Sequence, residues 1–144
     1  MQPKIVHGEE AVILNVLGVE HVIYVRGDDT RGTVLFAELH IPADKGIPPH
    51  IHTREDEIFH VLEGDVTFTI EDHETTLGPR STVFGPRCVS HGFRAAGGRS
   101  ARMLVTIAPS GLEAMFEELA HLPPVRPDMT RVVEIVGRYG VSFV

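Results

Sequence analysis

Two histidines and a glutamate lie within a short stretch and form the clearest candidate for chemistry in this chain. His50 and His52 are two positions apart, and Glu57 follows at the start of an apolar run. In a β-strand, side chains at i and i+2 point to the same face, so both imidazoles can aim at one point. His91, inside a later segment that contains Gly85 and Pro86, is a further candidate.

These residue types predict a metal site. Neutral imidazoles and a carboxylate suit a divalent transition metal such as Fe, Mn, Co, Ni, Cu or Zn. A lone histidine is usually a surface residue or a hydrogen-bonded core residue, and His-x-His also arises by chance. The alternatives are therefore a coincidence and a site that has lost its metal. The combination of His50, His52, Glu57 and a later His91 favours the metal.

The spacing of these residues resembles the two motifs of the cupins, which are small jelly-roll barrels. The first motif, Gly-x5-His-x-His-x3,4-Glu-x6-Gly, appears here as His50-x-His52-x4-Glu57-x6-Gly64, with Gly46 closer to the first histidine than the motif has it. The second motif, Gly-x5-Pro-x-Gly-x2-His-x3-Asn, appears as Pro86-x-Cys88-x2-His91-x3-Ala95. The resemblance covers roughly residues 30–110 and is closest to single-domain bacterial cupins of the quercetinase-like kind.

The resemblance implies a mainly β fold, a double-stranded β-helix or jelly-roll barrel, and the residues after it predict two C-terminal helices. It also implies that His50, His52, Glu57 and His91 bind one divalent transition metal ion (Fe, Mn, Ni, Co or Zn). Four such ligands leave one or two open coordination positions, as a catalytic site requires.

The activity implied is that of a metal-dependent dioxygenase acting on a small enol or aromatic substrate. Glu57 is either a plain ligand or also a catalytic base that takes a proton from a substrate hydroxyl. Fold does not fix function, so two alternatives stay open. One is a non-catalytic cupin that binds a metal or a small ligand. The other is a non-redox Lewis-acid isomerase or cyclase.

Alternation along the strands predicts an apolar substrate pocket beside the metal. Phe59 shares a face with Glu57, and Phe93 shares one with His91. Together with Met103 they predict walls that suit a small, planar, partly aromatic substrate. His60 should point away from the site.

Two further predictions concern polar residues outside the motifs. Glu38 and His40 share a face of one strand. Their side chains could reach the site or face the solvent, and the solvent is favoured for both. Cys88 is predicted to be a buried small residue with no ligand or redox role.

Composition restricts the partners. The 144 residues carry a net charge of -7, which argues against nucleic acid because phosphate binding needs a basic face. No run is long and apolar enough to span a membrane, and residues 1–10 contain no apolar signal-peptide core. One cysteine excludes an internal disulfide and favours the cytoplasm. The resemblance to cupins also implies that the protein forms a homodimer.

One domain is predicted over residues 1–144, with a barrel core at about 11–109 and a helical extension at about 110–140. Short strands are expected over 11–16, 19–25, 33–41, 57–62, 66–70, 75–77, 82–84 and 102–108. Residues 42–49 are expected to form a loop that leads into the metal motif.

Two helices are expected after Pro109, to cap the barrel mouth or brace a dimer. Ser110-x-x-Glu113 has the form of a capping box. Helical spacing gives one apolar stripe of Leu112, Met115, Phe116 and Leu119, and a second of Met129, Val132, Val133 and Val136. The second helix should begin near Asp128 or Thr130 and end near Arg138. Gly140 is its expected C-cap, and residues 139–144 are an apolar tail.

Overall fold

The computed structural model describes residues 1–144, which form eleven strands and two α-helices. The strands are β1 (Val12–Val16), β2 (Val19–Val25), β3 (Leu35–Ile41), β4 (Gly46–His52), β5 (Asp56–Glu63), β6 (Val66–Ile70), β7 (His73–Leu77), β8 (Thr82–Gly85), β9 (His91–Ala95), β10 (Ala101–Ala108) and β11 (Val141–Phe143). The helices are α1 (Glu113–Ala120) and α2 (Met129–Arg138).

The strands form two antiparallel sheets that pack face to face as a jelly roll. The larger sheet has the order β1-β2-β3-β10-β5-β8, and the smaller has the order β11-β4-β9-β6-β7. Strands that neighbour each other in a sheet are often distant in sequence, as in the crossovers of a jelly roll. The predicted fold class is confirmed.

Alternating side chains of the central strands build the core between the sheets. In β3 the predicted inward face, which begins at Leu35 and ends at Ile41, is buried at every second position. The same holds along β10 from Met103 to Ile107. Each large apolar side chain on these faces contributes about 1.5–3 kcal/mol when it leaves water, so this alternation fixes the register of both strands.

Residues 42–49 are not all loop, because β4 already begins at Gly46. Gly46 pairs with Arg94, and a Cβ atom at this glycine would overlap the carbonyl of Phe93, so only glycine permits the approach. The pairing is irregular between Ile47 and His50. Proline in a sheet is confined largely to such irregularities and edges, and the two prolines here obscured the strand in the sequence.

Helix α1 has a different start from the predicted one. Its N-cap is Leu112, and no side chain caps the helix, so the capping box at Ser110 is wrong. Glu113 instead turns back and accepts hydrogen bonds from the backbone N–H groups of Gly111 and Gly27. The carboxylate thereby ties the helix start to the turn after β2.

Helix α2 begins where predicted, but its apolar stripe is shifted. The Asp128 side chain accepts hydrogen bonds from the backbone N–H groups of Thr130 and Arg131, which makes it the N-cap. Met129 and Val133 are exposed rather than buried. The buried stripe consists of Val132, Ile135 and Val136. Neither helix of the structure is long and apolar enough to cross a membrane.

The apolar tail after α2 is a strand of the smaller sheet. β11 pairs with β4, so that Val141 faces His52 and Phe143 faces His50. Gly140 connects α2 to β11 with a left-handed φ of 76°, and its carbonyl accepts hydrogen bonds from the backbone N–H and the hydroxyl of Thr53. The C-cap is Tyr139 rather than Gly140, and Gly140 follows it as the left-handed glycine that ends the helix.

Gly140→Ala should destabilise the protein by about 1–2 kcal/mol, because a side chain at this φ is strained. A Cβ atom here would also meet the Thr53 hydroxyl. Gly137→Ala is the matched control: Gly137 lies in α2 with open space around it, so alanine should stabilise by about 0.5–1 kcal/mol. Denaturant titration of the two variants measures both values. Equal effects of the same sign would contradict the role assigned to Gly140.

Candidate metal centre

The structure brings the four motif residues together at one buried point. One ligand atom from each of His50, His52, Glu57 and His91 lies within 4.8 Å of all the others, and all four side chains are buried. The histidines come from the adjacent strands β4 and β9, in which His50 pairs directly with His91. Glu57 comes from β5 in the opposite sheet. The cluster therefore joins the two layers of the barrel.

Backbone carbonyls fix the orientation of two of the imidazoles. The Nδ1 atom of His50 lies 2.8 Å from the carbonyl oxygen of Pro48, and the Nδ1 atom of His91 lies 3.2 Å from that of Val89. A carbonyl can only accept, so each Nδ1 carries the hydrogen and donates it. Each Nε2 atom is then left for a metal ion, an arrangement that commonly orients histidine ligands.

The third imidazole is oriented by a residue that the sequence analysis missed. The Nδ1 atom of His52 lies 3.4 Å from a carboxylate oxygen of Glu55, which is itself buried. The turn that carries Glu55 is held by Asp56, which accepts hydrogen bonds from the side chain and the backbone N–H of Arg87. These bonds to Arg87 lower the pKa of Asp56 to about 2. Glu55 lies three residues after His52, and this spacing could have indicated the contact. The charged residues of the turn instead suggested that Glu55 faces the solvent.

The donor atoms fit a divalent transition metal. The Nε2 atom of His52 is buried and has no hydrogen-bond partner, and it lies 3.5 Å from the Glu57 carboxylate. The same carboxylate lies 2.7 Å from the Nε2 atom of His91. A cation among these atoms would satisfy the orphaned nitrogen and the carboxylate together. Three imidazoles and one carboxylate are also the ligand types that such metals prefer.

The pKa values of His50 and Glu57 favour the forms that bind a metal, whereas that of His52 is shifted the other way. Burial lowers the pKa of His50 to about 4, so this imidazole is neutral at pH 7, the form that binds a metal. Burial opposes ionisation of Glu57, but the close contact with the His91 imidazole and the other nearby imidazoles outweigh it and lower the pKa of the carboxyl. Burial also lowers the pKa of His52, but the bond to Glu55 and the charge of Glu57 outweigh it and raise the pKa.

The cluster opens onto a small apolar cavity at the helix-covered end of the barrel. The cavity measures about 60 Å³ as the space open to the centre of a water molecule, and 14 of its 18 lining residues are hydrophobic. Since one water needs about 10–15 Å³ on this measure, the space takes a few waters or a small organic ligand. Helix residues form part of its wall, namely Met115, Phe116, Leu119 and Val136.

Two of the three residues predicted to form the substrate pocket line the cavity, and the third does not. Phe59 and Phe93 line the cavity, whereas Met103 is fully buried on β10 but does not line it. Val105 and Ile107 of the same strand line it instead. Met103 lies further from the cavity end of the barrel on the same inward face, so alternation alone could not separate these positions.

Cys88 is exposed, so the prediction that it is buried is wrong. Its φ of 66° is the left-handed conformation that favours glycine, and its backbone N–H donates to the carbonyl of His52. The turn before His91 therefore uses the backbone of this residue and leaves the thiol outside.

Two residues expected on the solvent face lie away from the cavity. His40 binds Glu38 through its Nε2 atom at 2.6 Å, and Arg102 donates to the same carboxylate at 2.6 Å. Glu38 is buried, so the prediction that it faces the solvent is wrong, and His40 is half-buried. Neither residue lines the cavity.

One cavity residue was not singled out in the sequence. His21 on β2 is buried and lines the cavity, and its ring centroid lies 4.8 Å from that of Phe116. It shares an inward face of β2 with Val19 and Ile23. A polar residue among alternating apolar ones could therefore have identified it as a site residue.

Comparisons with known proteins agree with this fold. Residues 37–107 match the family model described as the cupin domain. The matched segment includes all four members of the metal cluster. No curated protein matches the chain.

Solved structures share the fold at low sequence identity. A predicted oxalate decarboxylase from Thermotoga maritima is 21% identical, with a TM-score of 0.67, and the match covers 74% of this chain and 99% of that one. The polyketide cyclase RemF from Streptomyces resistomycificus is 26% identical, with a TM-score of 0.64 and coverage of 76% and 81%. KdgF from Halomonas sp. is 18% identical, with a TM-score of 0.65 and coverage of 75% and 96%.

Replacing His50, His52 or His91 by alanine should remove most of the bound metal while the barrel still folds, because each supplies one of few ligands. His60→Ala is the matched control, since His60 binds Thr82 away from the cluster. Elemental analysis of protein purified without chelator, with circular dichroism as a check on folding, gives the result. Full metal content in a cluster variant would refute the ligand set.

Glu55→Gln should weaken metal binding by about 10–100-fold, because the uncharged amide orients and polarises His52 less than the carboxylate does. Glu63→Gln on the exposed end of β5 provides the control. Competition with a chelating dye measures the affinity of both variants. An unchanged affinity in Glu55→Gln would show that His52 needs no such support.

Proposed function

We propose that this chain is a metal-dependent dioxygenase, of the quercetinase-like kind, that acts on a small enol or aromatic substrate. The observation that carries the proposal is that three members of the buried cluster, His50, His52 and Glu57, line an apolar cavity. A closed structural site would have no such space beside it. An apolar cavity with one polar end is also the usual form of a small-molecule site.

A divalent ion bound by His50, His52, Glu57 and His91 would supply a Lewis-acidic position and, if it were Fe, Mn, Co or Ni, redox chemistry with O2. The residues of the chain do the rest. Pro48, Val89 and Glu55 hold the imidazoles in the orientation that presents Nε2. Glu57 is ionised at neutral pH, so it can accept the proton of a substrate hydroxyl placed beside it.

The hydrophobic walls select the substrate and exclude water. Phe59 and Phe93 flank the cluster and offer flat surfaces to a planar ring. Their rings lie 5.7 Å apart between centroids and tilt by 57°, which holds the wall rigid. The space of about 60 Å³ favours a one-ring substrate over a multi-ring flavonol.

A second candidate is a non-redox cyclase or isomerase. The likeness to the polyketide cyclase RemF, at 26% identity, favours it. Such an enzyme would need a metal ion held by the same cluster as its Lewis acid and the same Glu57 as a proton acceptor, without O2. The two candidates therefore differ in their requirement for oxygen and for a redox-active metal.

Metal-free protein loaded separately with Fe(II), Mn(II), Co(II), Ni(II) and Zn(II) tests the proposal. With one-ring enols and catechols, we expect O2 consumption with at least one redox-active metal and none with Zn(II). The double variant His50→Ala/His52→Ala is the control and should consume no O2. An oxygen electrode and mass spectrometry of the products give the readout.

Two outcomes would replace the proposal. Product formed anaerobically by the Zn(II) protein would establish the cyclase or isomerase. Tight binding of the same compounds without O2 uptake or product would establish a non-catalytic binding protein.

A further inference from the structure

His21 is the only polar side chain of the cavity wall that does not belong to the metal cluster. The four polar lining residues are His21, His50, His52 and Glu57, and the other lining residues are hydrophobic. His21 comes from β2, which supplies no member of the cluster. A buried imidazole in such a wall needs a partner, because an unsatisfied buried polar atom is costly.

The hydrogen bond of His21 shows which nitrogen is free. Its Nδ1 atom lies 3.0 Å from the backbone carbonyl of Val19, within the same strand. Because a carbonyl only accepts, the hydrogen of the neutral ring lies on Nδ1. Burial lowers the pKa of His21 to about 4, so the ring is neutral at pH 7. Its Nε2 atom then carries a lone pair and acts as an acceptor.

No side chain or backbone group of the protein donates a hydrogen bond to the Nε2 atom of His21, whose one hydrogen bond is that to Val19. Packing against Phe116 fixes the ring, with centroids 4.8 Å apart and planes tilted by 55°. The ring therefore cannot easily turn to find another partner. A fixed acceptor in an otherwise apolar wall selects a donor on whatever fills the cavity.

We propose that His21 binds the substrate, and that its Nε2 atom accepts a hydrogen bond from a hydroxyl or N–H group remote from the metal-bound end. This inference rests on the proposed function, because it assumes a small molecule bound at the metal, and it narrows the substrate class. The substrate has metal-chelating oxygens at one end of a planar, mainly apolar body. At the other end it carries a hydrogen-bond donor rather than a carboxylate.

Two small hydroxypyranones provide a matched pair of probes. Kojic acid and allomaltol chelate divalent metals through the same pair of oxygens. They differ only at the opposite ring edge, where kojic acid carries a hydroxymethyl group and allomaltol a methyl group. Isothermal titration of both into the Zn(II)-loaded protein measures binding without any turnover.

The wild-type protein should bind kojic acid about fivefold more tightly than allomaltol, the difference that one net hydrogen bond gives. His21→Leu should lose this preference, and His21→Gln, which keeps an acceptor, should retain part of it. Zinc content should be equal in all three proteins. Nitrogen NMR of the metal-free wild type should also find the Nε2 atom of His21 unprotonated.

Several results would overturn the inference: no preference in the wild type, a preference that survives His21→Leu, a protonated Nε2 atom, or binding of neither probe. These outcomes are separate from the failure of the proposed function. A protein that prefers kojic acid through His21 but never consumes O2 refutes the dioxygenase and leaves the binding role intact. A protein that consumes O2, but whose probe preference is unchanged in His21→Leu, supports the dioxygenase and refutes the binding role of His21.

Discussion

The structure depends on one constraint: ligand atoms of three imidazoles and a carboxylate lie within 4.8 Å of one another beside a mainly hydrophobic cavity. Buried polar groups without partners cost about 1–3 kcal/mol each, so such a cluster is tolerated only if its atoms are satisfied. The outer nitrogens are bound by Pro48, Val89 and Glu55. The inner atoms, including the orphaned Nε2 of His52, are arranged for a cation.

The two sheets contribute different numbers of residues to the cluster. The smaller sheet carries the three histidines on adjacent strands, and the larger sheet contributes Glu57 from across the barrel. The geometry of the centre is therefore set by how the two sheets pack. That packing rests on the inward faces of β3 and β10, and on the aromatic contacts of Phe59 with Phe68 and Phe93. The helices then close the same end of the barrel over the cavity.

Period-two alternation was enough to predict most of what the site needs. It placed His50 with His52, and Phe59 on the side of Glu57, because each of these relations holds within one strand. Relations between distant segments escaped it. The pairing of residues 141–143 with β4 depends on how the chain closes, and the inward turn of Glu55 depends on a bond between Asp56 and Arg87. Helical spacing likewise did not determine which face of α2 is buried. In the structure Ile135 is buried, and the sequence alone did not identify it.

The jelly-roll fold class is established, and a quercetinase-like activity, a homodimer and a cytoplasmic location stay predictions. One structural feature bears on how the site is made. Strand β11 covers the edge of the strand that carries His50 and His52, and Phe143 lies 6.3 Å from the His50 ring between centroids. The ribosome synthesises these histidines long before it reaches Phe143. The nascent barrel therefore has an open edge at its ligands, and the finished coordination environment forms only after the last strand has left the exit tunnel.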